Sequence, residues 1–178
     1  MKKQARNGVV LALVAAAALT AGCATPSKPD EMVATPATVV HRNSDSVSVA
    51  VSGGKETNPM WTSQISSDAF AEALRDSIQK SGLFGSVTDG GGSYKLNAFL
   101  GKVDQPLFGL SMTVKMEVSY TLVDTRSGKT VWQKDIASQY TAHPSDAFVA
   151  VKRLRLANEG AARANIQQAI AEMSTLSL

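Results

Sequence analysis

One cysteine, two histidines and a scatter of serines and carboxylates are the residues of this chain that could carry chemistry, and their spacing argues against most of it. Cys23, His41 and His143 fall in no pattern with Asp or Glu that would hold a metal, so neither a metal nor another cofactor is expected. No Gly-x-Ser-x-Gly elbow is present. His143 is the one candidate base inside the folded part, and it precedes Pro144 at a helix entrance, where a solvated loop histidine is expected. Gly90-Gly91-Gly92 lacks the Lys-Ser/Thr and the helix of a phosphate loop and reads as a hairpin tip. Gly53-Gly54-Lys55 fails the same test, because a loop with Pro59 follows it. Asp104, Asp124, Asp135 and Glu159 are acids that nothing in the sequence pairs.

Two groups of residues ask for more. Arg155 and Glu159 stand four apart on a helical segment, as do Glu159 and Arg163. Such a row is first a solvated ladder, worth tenths of a kcal/mol per pair. Its alternative is a partly buried network at the sheet edge, or a ligand site. Trp61, Leu107 and Phe108 are large apolar residues in turn-like segments. Loop aromatics cap a small core or anchor a partner.

Cys23 has a richer context. Lys2, Lys3 and Arg6 precede an apolar run from Val9 to Leu19, and Leu19-Thr20-Ala21-Gly22 brings small residues up to the cysteine. That order is a signal peptide over residues 1–22. The run is too short for a membrane span, which needs about 20 apolar residues. The alternative is an ordinary secretory leader cleaved near Ala21. The segment Leu19 to Cys23 resembles a lipobox, with Thr20 where Leu is usual. The resemblance implies a diacylglycerol on the Cys23 sulfur, cleavage before it and acylation (palmitate or similar) of the new amine. Ala24 rather than Asp at the next position implies the outer membrane.

Removing the leader also removes Lys2, Lys3 and Arg6, leaving 15 cations against 15 anions. The basic pI of 9.1 thus belongs to the precursor, and no excess charge remains to attract nucleic acid. With Cys23 acylated no disulfide can form, so the fold must hold by packing.

Residues 23–45 then read as lipidated cysteine and flexible tether, because Pro26, Pro29 and Pro36 stand among small and charged residues. Extended, about 20 residues reach roughly 65 Å. Residues 46–178 read as a single periplasmic domain. Val47, Val49 and Val51 alternate with small residues as a strand. Phe70, Leu74 and Ile78 line one face of a helix that Gly82 stops. Leu83 to Thr88 and Tyr94 to Leu100 are short strands. Leu110, Met112, Val114, Met116, Val118, Tyr120 and Leu122 alternate with polar residues in the clearest strand. Asp124 to Gly128 turns the chain into a hairpin partner, Thr130 to Tyr140. A long helix over about 146–173 places Phe148, Val151, Ala162, Ile166, Ile170 and Met173 near one face, with a strip of small residues around Gly160. The expected class is α+β: a two-layer sandwich in which an antiparallel sheet of about five strands is packed by two helices, in the order strand, helix, four strands, helix.

That layout resembles the lipopolysaccharide-assembly lipoprotein, and more broadly the auxiliary lipoproteins of ABC-type lipid transporters. Asn58-Pro59-Met60-Trp61, Asp104-Gln105-Pro106-Leu107-Phe108-Gly109 and Arg153-Leu154-Arg155-Leu156-Ala157-Asn158-Glu159-Gly160 also look like a group of uncharacterised proteobacterial lipoproteins. The resemblance carries over no functional residue besides Cys23. The expected function is non-catalytic: a lipoprotein held at the outer membrane by its lipid, binding or scaffolding an envelope protein or lipid. The alternatives are an envelope glycan- or lipid-modifying enzyme, and a structural spacer to the cell wall.

Overall fold

The computed structural model describes residues 23–35 and 38–178; residues 1–22, which the sequence reading expects to be a signal peptide, lie outside them. The elements are α1 (Pro29–Met32), β1 (Asn43–Ser52), α2 (Ser67–Ser81), β2 (Phe84–Thr88), β3 (Tyr94–Asp104), β4 (Met112–Asp124), β5 (Lys129–Ala142) and α3 (Ala150–Met173). The sandwich of five strands and two long helices forms as the sequence suggests.

Local chemistry sets the boundaries of α2. The Ser66 hydroxyl accepts from the Ala69 N–H at 3.2 Å, Asp68 sits in the positive first turn and Lys80 in the negative last one. Gly82, at φ 63°, ends the helix by donating its N–H to Ile78 and Gln79 carbonyls. Phe70, Leu74 and Ile78 are fully buried beneath it.

The strand order is β2-β1-β3-β4-β5. β1 is parallel to both neighbours, while β3, β4 and β5 are antiparallel, so the sheet is mixed rather than antiparallel throughout. The reason is topological: α2 carries the chain back along β1 before β2 starts, which forces β2 to run the same way as β1. Met112, Val114, Met116, Val118, Tyr120 and Leu122 all face the helices and are buried. The helices cover one face only. α2 lies on β1 and β2, and α3 lies on β4 and β5. The small strip of α3 packs on β5: a Cβ at Gly160 would run into the Tyr140 ring.

The connections sort to two ends. Residues 53–66, 105–111 and 143–149 meet at the end where α2 and α3 begin. The turn 125–128, the end of α2 and the end of α3 meet at the other.

Two apolar residues sit elsewhere than periodicity places them. β4 starts at Met112, so Leu110 is outside the strand and 81 % exposed. α3 starts at Ala150, not near 146, and Phe148 precedes it, 95 % exposed. The Asp146 carboxylate accepts from the His143 N–H at 2.7 Å and the Asp146 N–H bonds back to the His143 carbonyl, so residues 143–146 close a turn of their own.

Candidate functional site

The segment read as tether is a strap. From Ala24 to Ala34 it runs along the seam between α2 and α3, and Met32 and Ala34 are wholly buried there. Four of its amides tie it down. The Ala24 N–H donates to the Pro59 carbonyl at 2.8 Å, and the Ser27 N–H to the Gln64 carbonyl at 3.1 Å. The Lys28 N–H donates to Glu159 Oε1 at 3.0 Å, and the Ala34 N–H to the Ser77 hydroxyl at 2.9 Å. Each bond gives a strap amide a partner that water would otherwise supply. Flexibility thus does not extend over residues 24–34. Composition misleads here because one methionine and a few small residues suffice to fill a narrow seam. Past the strap, the His41 N–H reaches the Ser174 carbonyl, and Arg42 caps the end of α2 through the Ser81 and Gly82 carbonyls. The strap therefore runs the length of the helical layer, and exposed Cys23 stands at the end where α2 and α3 begin.

The charged row on α3 serves this strap. Glu159 is 1 % exposed, pairs with Arg155 at 3.4 Å and receives Lys28. Its Oε2 has no partner among the described residues. Burial pushes the Glu159 carboxyl above its ordinary range, opposed by the Lys28 amide and the Arg155 charge. Arg155 Nη1 donates to the Thr25 hydroxyl at 2.8 Å. Arg163 does not join Glu159; it donates to the Glu31 carbonyl and lies 6.0 Å from the Tyr140 ring centroid. All three residues hold the strap: neither a solvated ladder nor a gathering around a cavity.

A second polar cluster fixes the loops beside Cys23. Gln105 Nε2 donates to the Ser63 carbonyl and to Asn158 Oδ1, each at 2.8 Å. Asn158 Nδ2 donates to the same Ser63 carbonyl at 3.0 Å, and Gln64 Nε2 to Gln105 Oε1 at 3.2 Å. Buried Arg153 reaches back to the Ala147 and Phe148 carbonyls at 2.8 and 2.6 Å. Sequence reasoning missed Gln105 and Asn158. Neither position gives a hint that the Ser63 carbonyl, 42 and 95 residues away, will need it.

On this fixed base the three loops turn apolar side chains outward. Trp61 is 75 % exposed, Leu107 82 % and Phe108 86 %, joined by Met60, Leu110 and Phe148. Trp61, Leu107, Val151 and Leu154 border a groove of about 430 Å³. Trp61 and Leu107 are therefore brought together, Phe108 follows Leu107 at the same end, and none of the three folds back as a core cap.

His143 Nδ1 lies 3.2 Å from the Ser111 hydroxyl on the exposed rim of the same end. No carboxylate contacts the His143 ring among the described residues, so the orienting member of a nucleophile–base relay is missing. Asp104 pairs with Lys102 at 3.0 Å, and Asp124 sits in the far turn. Asp135 and Glu159 lie apart from both, on β5 and α3. No group of three His, Cys, Asp or Glu able to hold a metal occurs among the described residues. No described helix is long and apolar enough to cross a membrane.

No family model matches the chain, and no curated protein matches it. Its fold does recur in solved structures. Protein XCC0632 from Xanthomonas campestris, of family DUF330, superposes with a TM-score of 0.66 at 14 % identity, over 85 % of this chain and 95 % of that one. A candidate lipoprotein from Caulobacter crescentus gives 0.51 at 15 % identity, over 72 % and 88 %. The PelC dodecamer from Paraburkholderia phytofirmans gives 0.50 at 14 % identity, over 79 % and 94 %. At these identities the likeness is one of fold.

Proposed function

We propose that this chain is a lipid-anchored, non-catalytic lipoprotein of the outer membrane, its domain facing the periplasm, that binds or scaffolds another component of the envelope. The observation that carries the reading is the junction at Ala24: a processing sequence ends at Cys23, and the next residue is already bonded to the folded domain. An anchor joined this way fixes the domain's orientation at the membrane. The use of buried polar groups supports the non-catalytic part. Asn158, Glu159 and Asn165 each bind backbone or another structural side chain rather than converging on a cleft. Lipoproteins among the proteins that share the fold add to the same reading.

The test is crosslinking of the native protein in cells, followed by mass spectrometry, with Cys23→Ala as control. The reading expects an intact mass carrying acyl chains on Cys23 and one dominant crosslinked envelope partner, lost in Cys23→Ala. An acylated protein with no partner removes the binding role. Ser111→Ala is expected to leave the crosslinking pattern unchanged.

A further inference from the structure

Of the twelve large apolar side chains that are markedly exposed among the described residues, seven lie on the three loops at the Cys23 end. The other end shows little of the kind. An apolar crown of this sort on a water-soluble surface marks a contact, and its position names the contact. Ala24 is bonded to Pro59, and Met60 and Trp61 follow Pro59 directly. A single peptide link therefore separates Cys23 from a fixed point at the root of the crown, and consecutive Cα atoms stand about 3.8 Å apart. Acyl chains on Cys23 cannot enter a bilayer while the crown stands far from it, unless the whole strap is pulled from its seam.

We propose that the crown of Trp61, Leu107, Phe108, Leu110 and Phe148 is seated in the interfacial layer of the lipid bilayer that receives the Cys23 acyl chains. The inference rests on the anchoring reading and names the bilayer as what this end of the domain meets. The composition suits it. Indole and phenyl rings favour the boundary between water and hydrocarbon. A mature chain of 15 cations and 15 anions has no net charge with which to grip anionic headgroups, so the contact is apolar and tolerates salt. The loops are also held rigid for the purpose. Gln105 and Asn158 pin the roots of two of them, and Arg153 pins the carbonyl of Phe148 itself.

The test uses the lipidated full-length protein in vesicles of phosphatidylethanolamine and phosphatidylglycerol, with and without brominated acyl chains. Trp61 and Trp132 are its only tryptophans, and Trp132 lies on β5 against Tyr120. Tryptophan emission is expected to shift to the blue on reconstitution and to be quenched by brominated lipid. Both changes are lost in Trp61→Phe and reduced in Phe148→Ser, two exposed positions whose replacement leaves the core intact. The intact mass is read on the same sample. An acylated Cys23 with no quenching of Trp61 overturns the seat and leaves the anchor standing. A mass without acyl chains overturns the anchor and the seat together.

Discussion

The two ends of this domain handle their loops in opposite ways. At the far end the turn after β4 is built largely from its own residues. Asp124 accepts from the Arg126 N–H at 2.9 Å and from the Ser127 hydroxyl at 3.0 Å, Gly128 takes φ 69°, and Arg126 lies near Asp45 and Asp124. Only Thr125, on the Gly92 and Ser93 carbonyls, and Arg126, beside Asp45, reach beyond the turn, and its side chains are polar and wet. At the Cys23 end the loops are bonded from beneath by residues distant in sequence, and their apolar side chains point away from the domain. A turn that needs only to reverse the chain closes on itself. Loops whose side chains must stay exposed for something else are fixed from behind.

The sharpest way to break this contrast is to undo the strap. Met32→Ala is expected to cost about 2–5 kcal/mol, the range for a fully buried side chain. The effect should appear as a lower urea midpoint for the whole domain with unchanged slope. A local loss confined to residues 24–34 would separate the strap from the cooperative unit.

Glu159→Ala comes next. It leaves the Lys28 amide unpaired and takes from half-buried Arg155 its carboxylate, at about 1–3 kcal/mol in chemical denaturation. Glu159→Gln is milder and carries a pH signature. Burial raises the folded carboxyl above its unfolded value, so the native state takes up a proton first, and stability falls as pH rises through the raised value. The wild type should therefore gain stability over Glu159→Gln on mild acidification from neutral pH. A gap that does not change with pH would contradict a desolvated carboxylate there.

Gln105→Ala sharpens the comparison itself. A loss of about 1 kcal/mol is expected, with faster hydrogen exchange at residues 58–65 and none at 125–128. Least of all is Arg126→Ala: its ion pairs are exposed, and no shift of the thermal midpoint is expected.

The sheet was largely legible because its signal is local. Alternation along Met112 to Leu122 names the buried face of β4 whatever its neighbours do. The direction of those neighbours is not local: nothing in Val47, Val49 and Val51 says that both flanking strands run parallel. The site was legible only in fragments. Trp61, Leu107 and Phe108 stand out as apolar residues in turns, but the same reading misplaced Leu110 in a strand and Phe148 on a helix face. Both extend a regular pattern by one step, and periodicity cannot show that the pattern stops just before them. The spacing of Arg155, Glu159 and Arg163 is the same for a wet row and a buried one. What decides it is Lys28, 131 residues from Glu159.

That separation also orders events in time. The bond from Lys28 to Glu159 waits until nearly the whole polypeptide has emerged and α3 has formed on the sheet. Closure of the strap therefore depends on the last helix of the chain: no shorter piece of the polypeptide holds both halves of the lock that fixes residues 24–34 in their seam.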